Sequence, residues 1–582
     1  MDTGMEPIAE RRARLRARYR TWRPMALHER VDAVRAEHPD RPLVITDEIT
    51  LRYRDVVDWS VRLADGLWAL GVRPGDRVAM VMANHPEFVP LKVAISRAGA
   101  VAVPLNFLYR SAELGYVLRQ SRCRVLVTMS GYRDLDHLAM LDEIAPGWRD
   151  GRSPSLPSLR AVVVLPTEPP AARPLDGVTT VAGLAELGDR YAGATTAVRV
   201  SGDDVGDILY TSGTTGTPKG VMVSHDATQR DAYASALTRG FADGRRILFS
   251  LPCYHMFGLV EGFLAALFVG GAIIPQPRFD PDAYLAGVER HRAEDVLCVP
   301  TMTVALLECP GREKYDLSSL QAILSGAAPA PAWLWERVRA ELGVTEIVTG
   351  YGMTEFGGAT TMSRPEDPLD VVASTVGRIK LAGAAGLGDG TGRLVEYKTV
   401  DPMSGADLPP GGEGELACRG PTVMRGYWDE PEETAAVLRD GWVRSGDLGR
   451  VRPDGNVVLT GRSGDLYKTG GELVMPKEVE ELLTRQPGIS QAHVVGVPDE
   501  RWGEVGVAWI VPEPGAEVTA EEAVAACRRG LARFKVPRHV LLTSAAELPV
   551  TPTGKVRKFV LRERAARLVS TTDGKSSEGG GR

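Results

Sequence analysis

A short apolar run, Ile208-Leu-Tyr210, leads directly into Thr211-Ser-Gly-Thr-Thr-Gly-Thr-Pro-Lys219-Gly-Val221, and few folds accommodate that transition. The apolar run reads as the end of a buried strand. The loop beyond it holds Gly213, Gly216 and Gly220, the hydroxyls of Thr211, Ser212, Thr214, Thr215 and Thr217, and Lys219. Glycine lets a backbone curl around an anion with its N–H groups pointing inward. Hydroxyls add donors, and a lysine adds a mobile positive charge suited to a polyphosphate. A Walker A loop requires Ser or Thr after Gly-Lys, whereas Lys219 stands between Pro218 and Gly220. The density of glycine, hydroxyl and lysine argues for a phosphate loop of another kind rather than a polar surface turn.

A chain of 582 residues is too long for one hydrophobic core and divides into at least two domains. Lysine and arginine total 69 against 75 acidic residues, so the net charge of -6 gives no reason to expect nucleic acid or an acidic membrane as partner. The cysteines Cys123, Cys253, Cys298, Cys309, Cys418 and Cys527 form no C-x-x-C pair, which excludes the usual zinc and disulfide frameworks and suits a reduced, cytoplasmic protein. No apolar run approaches bilayer length, and no signal peptide is expected. The arginine-rich stretch Glu10 to Arg20 reads as a solvated N-terminal helix rather than an electrostatic arm for an acidic partner or a CoA phosphate.

From Pro42 to Val127, β-branched runs such as Val78 to Met82 and Val101 to Pro104 alternate with helical patterns such as Pro86 to Ala98. That alternation predicts βαβ units and a largely parallel sheet, continued by a strand at Ala161 to Leu165 and resumed from Arg246 to about Gly357. After Gly377, short strands such as Gly414 to Arg419 and Asn456 to Thr460 predict a small, mostly β subdomain. The glycine cluster Gly383 to Gly392 lacks G-x-G-x-x-G and reads as a flexible connection. Beyond Gly461 a small α/β unit is expected, with helices at Pro476 to Thr484 and Ala520 to Ala532 and strands at Ala492 to Gly496 and Val505 to Val511. The fold class is therefore α/β, with a large N-terminal domain over 1–461, a connection at 462–464, a C-terminal domain over 465–571 and a disordered tail over 572–582.

Further motifs follow in order. Thr349-Gly-Tyr351-Gly352-Met-Thr354-Glu355 combines an aromatic that can stack on a base, a hydroxyl for a phosphate oxygen, and a carboxylate for a hard cation. Asp447, in Ser445-Gly-Asp-Leu-Gly449, can accept both hydroxyls of a ribose, and Arg462 can reach the same sugar or the phosphates. Lys555 lies on a glycine turn, Pro549-Val-Thr-Pro-Thr-Gly-Lys555. Each alone has a structural alternative: turn residue, core aromatic, helix cap. Together they describe a nucleoside triphosphate site with a metal and a movable lysine.

In these motifs, and in Val497-Pro-Asp-Glu-Arg-Trp-Gly503, the chain resembles the acyl-adenylate-forming superfamily of acyl- and aryl-CoA synthetases, carrier-protein adenylation domains and luciferases, from about Arg30 to Glu563. The resemblance implies that a carboxylate attacks the α-phosphate of Mg-ATP to give an acyl-adenylate and pyrophosphate. A mobile C-terminal domain then swings about a hinge, and the CoA thiol displaces AMP. Lys555 would bridge the carboxylate and α-phosphate. Thr211, Ser212, Gly213, Thr214 and Thr215 would receive the β- and γ-phosphates, with Gly216 and Lys219 also binding the nucleotide. Tyr351, Gly352, Gly326 and Ala327 would line the nucleotide site, Thr354 would contact the α-phosphate, Glu355 would hold Mg2+, and Asp447 and Arg462 would hold the ribose. The hinge departs from the family's pattern: Gly464, followed by Asp465, stands where an acidic residue or lysine is common, while Lys468 matches a lysine some relatives use in the second conformation.

The resemblance also places the acyl pocket among Tyr254 to Leu259, Val299 to Met302, Ser325 to Ala328 and Gly350 to Met353. Leu251-Pro-Cys-Tyr-His-Met-Phe-Gly-Leu259 contains no acid that would balance an α-ammonium, so an apolar fatty, alicyclic or aryl acid is expected over an amino acid. His255 would contact an aryl hydroxyl, line the thiol path, or simply pack. CoA is the expected acceptor; a carrier-protein phosphopantetheine or an amine is the alternative. A regulator that binds nucleotide without turnover is disfavoured because Glu355 and Lys555 are both present.

Overall fold

The computed structural model describes residues 6–167, 175, 177–211, 218–326, 330–469, 472–499, 502–551 and 556–576. The chain divides into two compact units. The first comprises Met1–Tyr397, Cys418–Ser445 and Asp454–Asn456, and the second Lys398–Ala417, Gly446–Pro453 and Val457–Arg582. The second unit thus begins earlier in sequence than the C-terminal domain expected over 465–571, and takes in strands of the β subdomain.

The first unit is built on two large sheets. One runs in the order Glu346–Val348, Ala322–Ser325, Asp295–Cys298, Arg246–Phe249, Ala272–Pro275, Pro42–Ile45 and Thr50–Arg52, with every neighbouring pair parallel except the last. The other runs Gly426–Tyr427, Lys219–Ser224, Val205–Thr211, Val101–Leu105, Arg77–Val81, Val125–Met129, Ala161–Leu165 and Thr179–Thr180. Its central strands are parallel, and its first three are joined antiparallel. Val78, Ala79, Met80 and Val81 are all buried, as continuous apolar strands covered on both faces must be. Helix Phe88–Arg97 makes the crossover from Arg77–Val81 to Val101–Leu105, so the predicted βαβ unit is present.

The parallel alternation ends at Val348 rather than near Gly357. From Gly350 the chain forms an antiparallel hairpin, Gly350–Met353 with Gly358–Met362, and Arg378–Ile379 pairs beside it. The glycine cluster beyond is a closed turn: Ala382 N–H donates to Gly392 O at 2.8 Å and Leu387 N–H to Arg393 O at 3.0 Å.

The second unit contains a sheet of Glu472–Val474, Tyr467–Thr469, Gly503–Pro512 and Ile489–Asp499, with His539–Leu542 added parallel to Gly503–Pro512. Helix Pro476–Thr484 begins on a proline, whose missing N–H costs nothing in a first turn. It buries Val479 and Leu483 against Val494, Ala508 and Ile510. Helix Ala520–Gly530 closes the same core through Ala523 and Cys527. The last helix, Lys558–Ser576, continues into the segment expected to form a disordered tail, and the remainder of that segment lies outside the described residues. All six cysteines are buried and unpaired. No helix among the described residues is long and apolar enough to cross a membrane.

The N-terminal helix corrects the sequence reading. Ile8–Arg18 is not a solvated helix: Leu15 and Arg11 are buried. Arg11 pairs with Glu346, which also accepts from Arg245 Nη2 at 2.6 Å, and Arg245 and Arg239 both face Asp295. An alternation of arginine with alanine and leucine looks solvent-facing in one dimension because the buried carboxylate that receives Arg11 lies 335 positions away. Arg14 on the same helix makes only an exposed pair with Glu6. Removing one partner of a buried ion pair leaves the other charge poorly compensated, whereas an exposed pair contributes little. Arg11→Ala is therefore expected to destabilise the protein by about 3 kcal/mol, and Arg14→Ala by less than about 1 kcal/mol, read as chemical denaturation midpoints. Equal effects from the two variants would contradict the docked helix.

Candidate functional site

The phosphate-type loop closes a hairpin. Ile208 pairs with Met222, Leu209 with Val221, Tyr210 with Gly220 and Thr211 with Lys219, so Thr211 and Lys219 stand opposite each other at its mouth. Ser212, Gly213, Thr214, Thr215 and Gly216 lie outside the described residues, as do Ala327 and Lys555. The base of the loop is rigid: Ile208 and Leu209 are buried, and the Tyr210 hydroxyl donates to Gln120.

The return strand Lys219–Ser224 pairs on its other side with a segment far along the chain, Val221 with Tyr427 and Met222 with Gly426. Trp428 N–H donates to Gly220 O at 2.7 Å and Arg425 N–H to Met222 O at 2.8 Å, extending that ladder at both ends. Met424 N–H donates to Glu355 O at 2.9 Å. Residues 424–428 therefore lie between the hairpin and the Thr354–Glu355 turn.

That turn, a single 3-10 turn over Thr354–Phe356, connects Gly350–Met353 to Gly358–Met362, with Gly352 opposite Ala359 and Met353 opposite Gly358. A Cβ at Gly352 would fall 1.9 Å from Gly358 O, so only glycine permits the approach. Tyr351 lies edge-on to Phe356 at 6.4 Å, and both Thr354 and Glu355 are buried. Glu355 Oε1 accepts from the Tyr427 hydroxyl at 2.9 Å. Burial, reinforced by the neighbouring Glu355 charge, raises the Tyr427 pKa far above the ordinary phenol range, so the phenol stays a donor at every working pH. Lys219 Nζ lies 5.3 Å from the centre of the Tyr427 ring and pairs with Glu433. Lys219, Tyr427 and Glu355 thus form one connected group.

Sequence reasoning missed Tyr427 and Glu433. Their segment, Gly426-Tyr-Trp-Asp-Glu-Pro-Glu-Glu433, carries aromatics and acids beside a proline turn, but nothing local says which strand it will pair with.

On the acyl side, the Cβ position of Gly326 is 3.7 Å from the Phe257 ring and 3.6 Å from Gly350 O. Phe257 begins a π-helix, Phe257–Leu264, a rare element frequent at functional sites. His255 precedes it, partly exposed, and its Nδ1 accepts from Phe257 N–H at 3.2 Å. That bond makes Nδ1 the acceptor and leaves the proton of the neutral ring on Nε2. Tyr254 packs its ring edge against Phe107 at 5.5 Å.

In the second unit, Asp447 and Arg462 are directly opposite in the hairpin formed by Trp442–Val451 and Val457–Arg462, with Arg462 Nε donating to Asp447 Oδ1 at 2.6 Å. Ser463–Asp465 forms a 3-10 turn in which Ser463 donates to Gly446 O at 3.1 Å and Asp465 faces Lys558 at 3.4 Å. A Cβ on Gly464 would meet nothing within 4 Å. Lys477, which the motif reading passed over, donates to Leu459 O, and burial lowers its pKa against the pull of Glu481 and Glu480. Lys468 is exposed, and its backbone N–H donates to Glu504.

Residues 31–428 match the family described as AMP-binding enzyme, and residues 478–555 match the AMP-binding enzyme C-terminal domain. The chain is 37% identical to 3-[(3aS,4S,7aS)-7a-methyl-1,5-dioxo-octahydro-1H-inden-4-yl]propanoyl:CoA ligase of Mycobacterium tuberculosis, over 92% of this chain and 97% of that protein. It is 37% identical to a feruloyl-CoA synthase of an Amycolatopsis species, over 88% and 94% of the two chains. Among solved structures it is similar to ATP-bound MatB from Rhodopseudomonas palustris, with a TM-score of 0.78, 30% identity and coverage of 94% of this chain and 100% of that one. The hairpin carrying Thr211 and Lys219, the Thr354–Glu355 turn and these matches lead to one conclusion: the chain belongs to the AMP-binding enzyme family and is an AMP-forming acyl-CoA ligase, activating a carboxylic acid with ATP and passing it to CoA.

Proposed function

We propose that the acid is a ring-bearing, apolar carboxylic acid, alicyclic or aryl. The observation that carries this reading is Gly326, whose Cβ position lies 3.7 Å from the Phe257 ring and 3.6 Å from the Gly350 carbonyl. In our reading, the missing side chain leaves room for a flat group beside the Phe257 ring. The absence of a carboxylate from Leu251 to Leu259 supports it, because an α-ammonium would be left without a counter-charge. The relatives named for an indane-type propanoate and for ferulate act on acids of this general shape.

In this reading Thr211, Ser212, Gly213, Thr214 and Thr215 hold the β- and γ-phosphates, Gly216 and Lys219 also bind the nucleotide, and Thr354 donates to the α-phosphate. Gly326, Ala327 and Gly352 line the nucleotide site with Tyr351 against the adenine, and Asp447 with Arg462 orients the ribose. Lys555 draws the carboxylate and α-phosphate together and offsets the negative charge that develops as they join. Free carboxylates resist thiols because oxide is a poor leaving group; AMP leaves as a stabilised anion. His255, with its proton on Nε2, stands beside the acyl slot on the path we assign to the thiol.

The donor set at Glu355 fits a magnesium ion. Mg2+ takes one or two carboxylates together with substrate phosphates and waters, rather than an all-protein cage. Glu355 supplies one hard oxygen donor, and no group of three His, Cys, Asp or Glu side chains occurs among the described residues. When bound, the ion neutralises phosphate charge. Tyr427 fixes the carboxylate that would hold it. We place the enzyme in the cytoplasm, where six buried, unpaired thiols and a CoA acceptor are at home.

Pyrophosphate release with Mg-ATP, measured across benzoic, cinnamic, alicyclic and straight-chain acids with and without CoA, tests the substrate class. Ring-bearing acids should give CoA thioesters with the highest kcat/KM. A straight-chain preference would refute the slot argument, and acid-dependent release indifferent to CoA would redirect the second step to a carrier protein or an amine. Lys555→Ala should slow adenylation by about a thousandfold while ATP still binds; normal pyrophosphate release by that variant would remove Lys555 from its role. Tyr427→Phe removes one hydrogen bond from the Glu355 carboxylate and should raise the Mg2+ concentration for half-maximal rate about tenfold. An unchanged metal dependence would mean that the Tyr427 bond is only structural.

A further inference from the structure

Beneath the acyl wall and the Thr354–Glu355 turn lies a charged cluster that neither the ATP site nor the acyl slot accounts for. Lys380 Nζ donates to Asp231 Oδ1 at 3.1 Å, to Ser235 Oγ at 2.6 Å and to Glu261 Oε1 at 2.7 Å. An ammonium has three protons, and here each has a separate acceptor. The Ser235 hydroxyl in turn donates to the second oxygen of Glu261. Lys380, Asp231 and Ser235 are fully inaccessible, and Glu261 is 2% exposed. Burial raises the Asp231 pKa well above the usual carboxylate range, with Glu261 acting in the same direction and Lys380 against it.

The four side chains come from three elements. Asp231 and Ser235 stand one turn apart on helix His225–Arg239. Glu261 lies within the π-helix Phe257–Leu264, whose first residue lies 3.7 Å from the Cβ position of Gly326 on the acyl side. Lys380 directly follows Arg378–Ile379, which pairs with Gly358–Met362, and its own N–H donates to Thr360 O at 3.0 Å. Gly358–Met362 is the return strand of the hairpin whose turn carries Thr354 and Glu355. A Cβ on Gly358 would fall 2.2 Å from Asp231 Oδ2 and 3.6 Å from Val260 Cγ1, so the carboxylate and the π-helix both press on the residue where that strand begins.

We propose that Lys380 is a positioning residue: through Asp231, Ser235 and Glu261 it locks the acyl-binding π-helix to the hairpin that carries Thr354 and Glu355, so that acid and nucleotide are held in one register. This rests on the acyl-slot assignment above. Ionic groups this deep contribute little net stability over apolar residues of similar volume, and removing one member alone is strongly destabilising. What three directional bonds supply is a unique relative placement, and misplacing reacting groups by about 1 Å costs about a hundredfold in rate.

The test compares Lys380→Met with the charge-free triple variant Asp231→Asn, Glu261→Gln, Lys380→Met. Lys380→Met alone should lower the thermal midpoint, and the triple variant should recover it. In the recovered triple variant, amide hydrogen exchange of 257–264 and of 354–362 should rise together, about tenfold over the wild type, while the parallel sheets keep their protection. The acid KM should rise about tenfold and kcat should fall. Ser235→Ala, which removes one hydroxyl and keeps every charge, should raise the acid KM about threefold in the same direction. Unchanged exchange in either segment, or normal kinetics in a triple variant whose exchange has risen, would overturn the positioning role. Should the triple variant fail to fold, the same readings on Ser235→Ala decide it. Exchange reads the coupling whatever the acid is, and wild-type thioester formation reads the function separately, so the two ideas fail independently.

Discussion

The ladder between Lys219–Ser224 and Gly426–Tyr427 is the constraint on which the rest of the nucleotide apparatus depends. It is formed by backbone hydrogen bonds alone, so it specifies no side-chain chemistry. Yet it carries Tyr427 across more than two hundred positions of sequence to a point between Lys219 and Glu355. It thereby joins the hairpin and the Thr354–Glu355 turn through one side chain. Closing so long a loop costs entropy only logarithmically in its length, so a few ladder bonds with buried packing suffice to hold it.

This non-locality explains which parts of the molecule could be read from sequence. The family was legible because its motifs are local: glycine, hydroxyl and lysine stand together in the sequence wherever the rest of the chain goes. The parallel strands were legible because both faces are buried and the runs are continuously apolar, as at Val78 to Val81. Helix Pro476–Thr484 was legible from its proline start and its apolar spacing. Arg11, Lys380 and Tyr427 were not, because each takes its meaning from a partner that local pattern cannot supply. An arginine-rich helix looks solvated until a buried Glu346 is found beneath it. The same rule misplaced the end of the alternating region, since the Gly350 hairpin pairs with itself and not with the preceding sheet.

Two buried ionic clusters of the first unit differ in what they join. Arg11, Glu346, Arg245, Asp295 and Arg239 tie the N-terminal helix to the edge and centre of the parallel sheet, where strands Glu346–Val348 and Asp295–Cys298 begin. They fix a scaffold. Lys380 instead joins a π-helix to an irregular hairpin, two elements whose own backbone bonding leaves room for alternative placements. A π-helix is intrinsically less well bonded than an α-helix, and the hairpin shifts register between Tyr351 and Gly352. Directional side-chain bonds are most useful where the backbone specifies least.

The connection at 462–464 shows the opposite economy of contacts. Ser463 is held by its bond to Gly446 O, and Asp465 is held by Lys558. Between them Gly464 has no neighbour within 4 Å of where a side chain would begin. We propose that Gly464 is the residue that turns in the hinge motion the family resemblance implies, since its two neighbours are the bonded ones. A larger hinge residue would bring its own contacts and bias one conformation. Glycine at 464 brings no such contacts, so the local restraints at this connection are the bonds that flank it, Ser463 to Gly446 and Lys558 to Asp465.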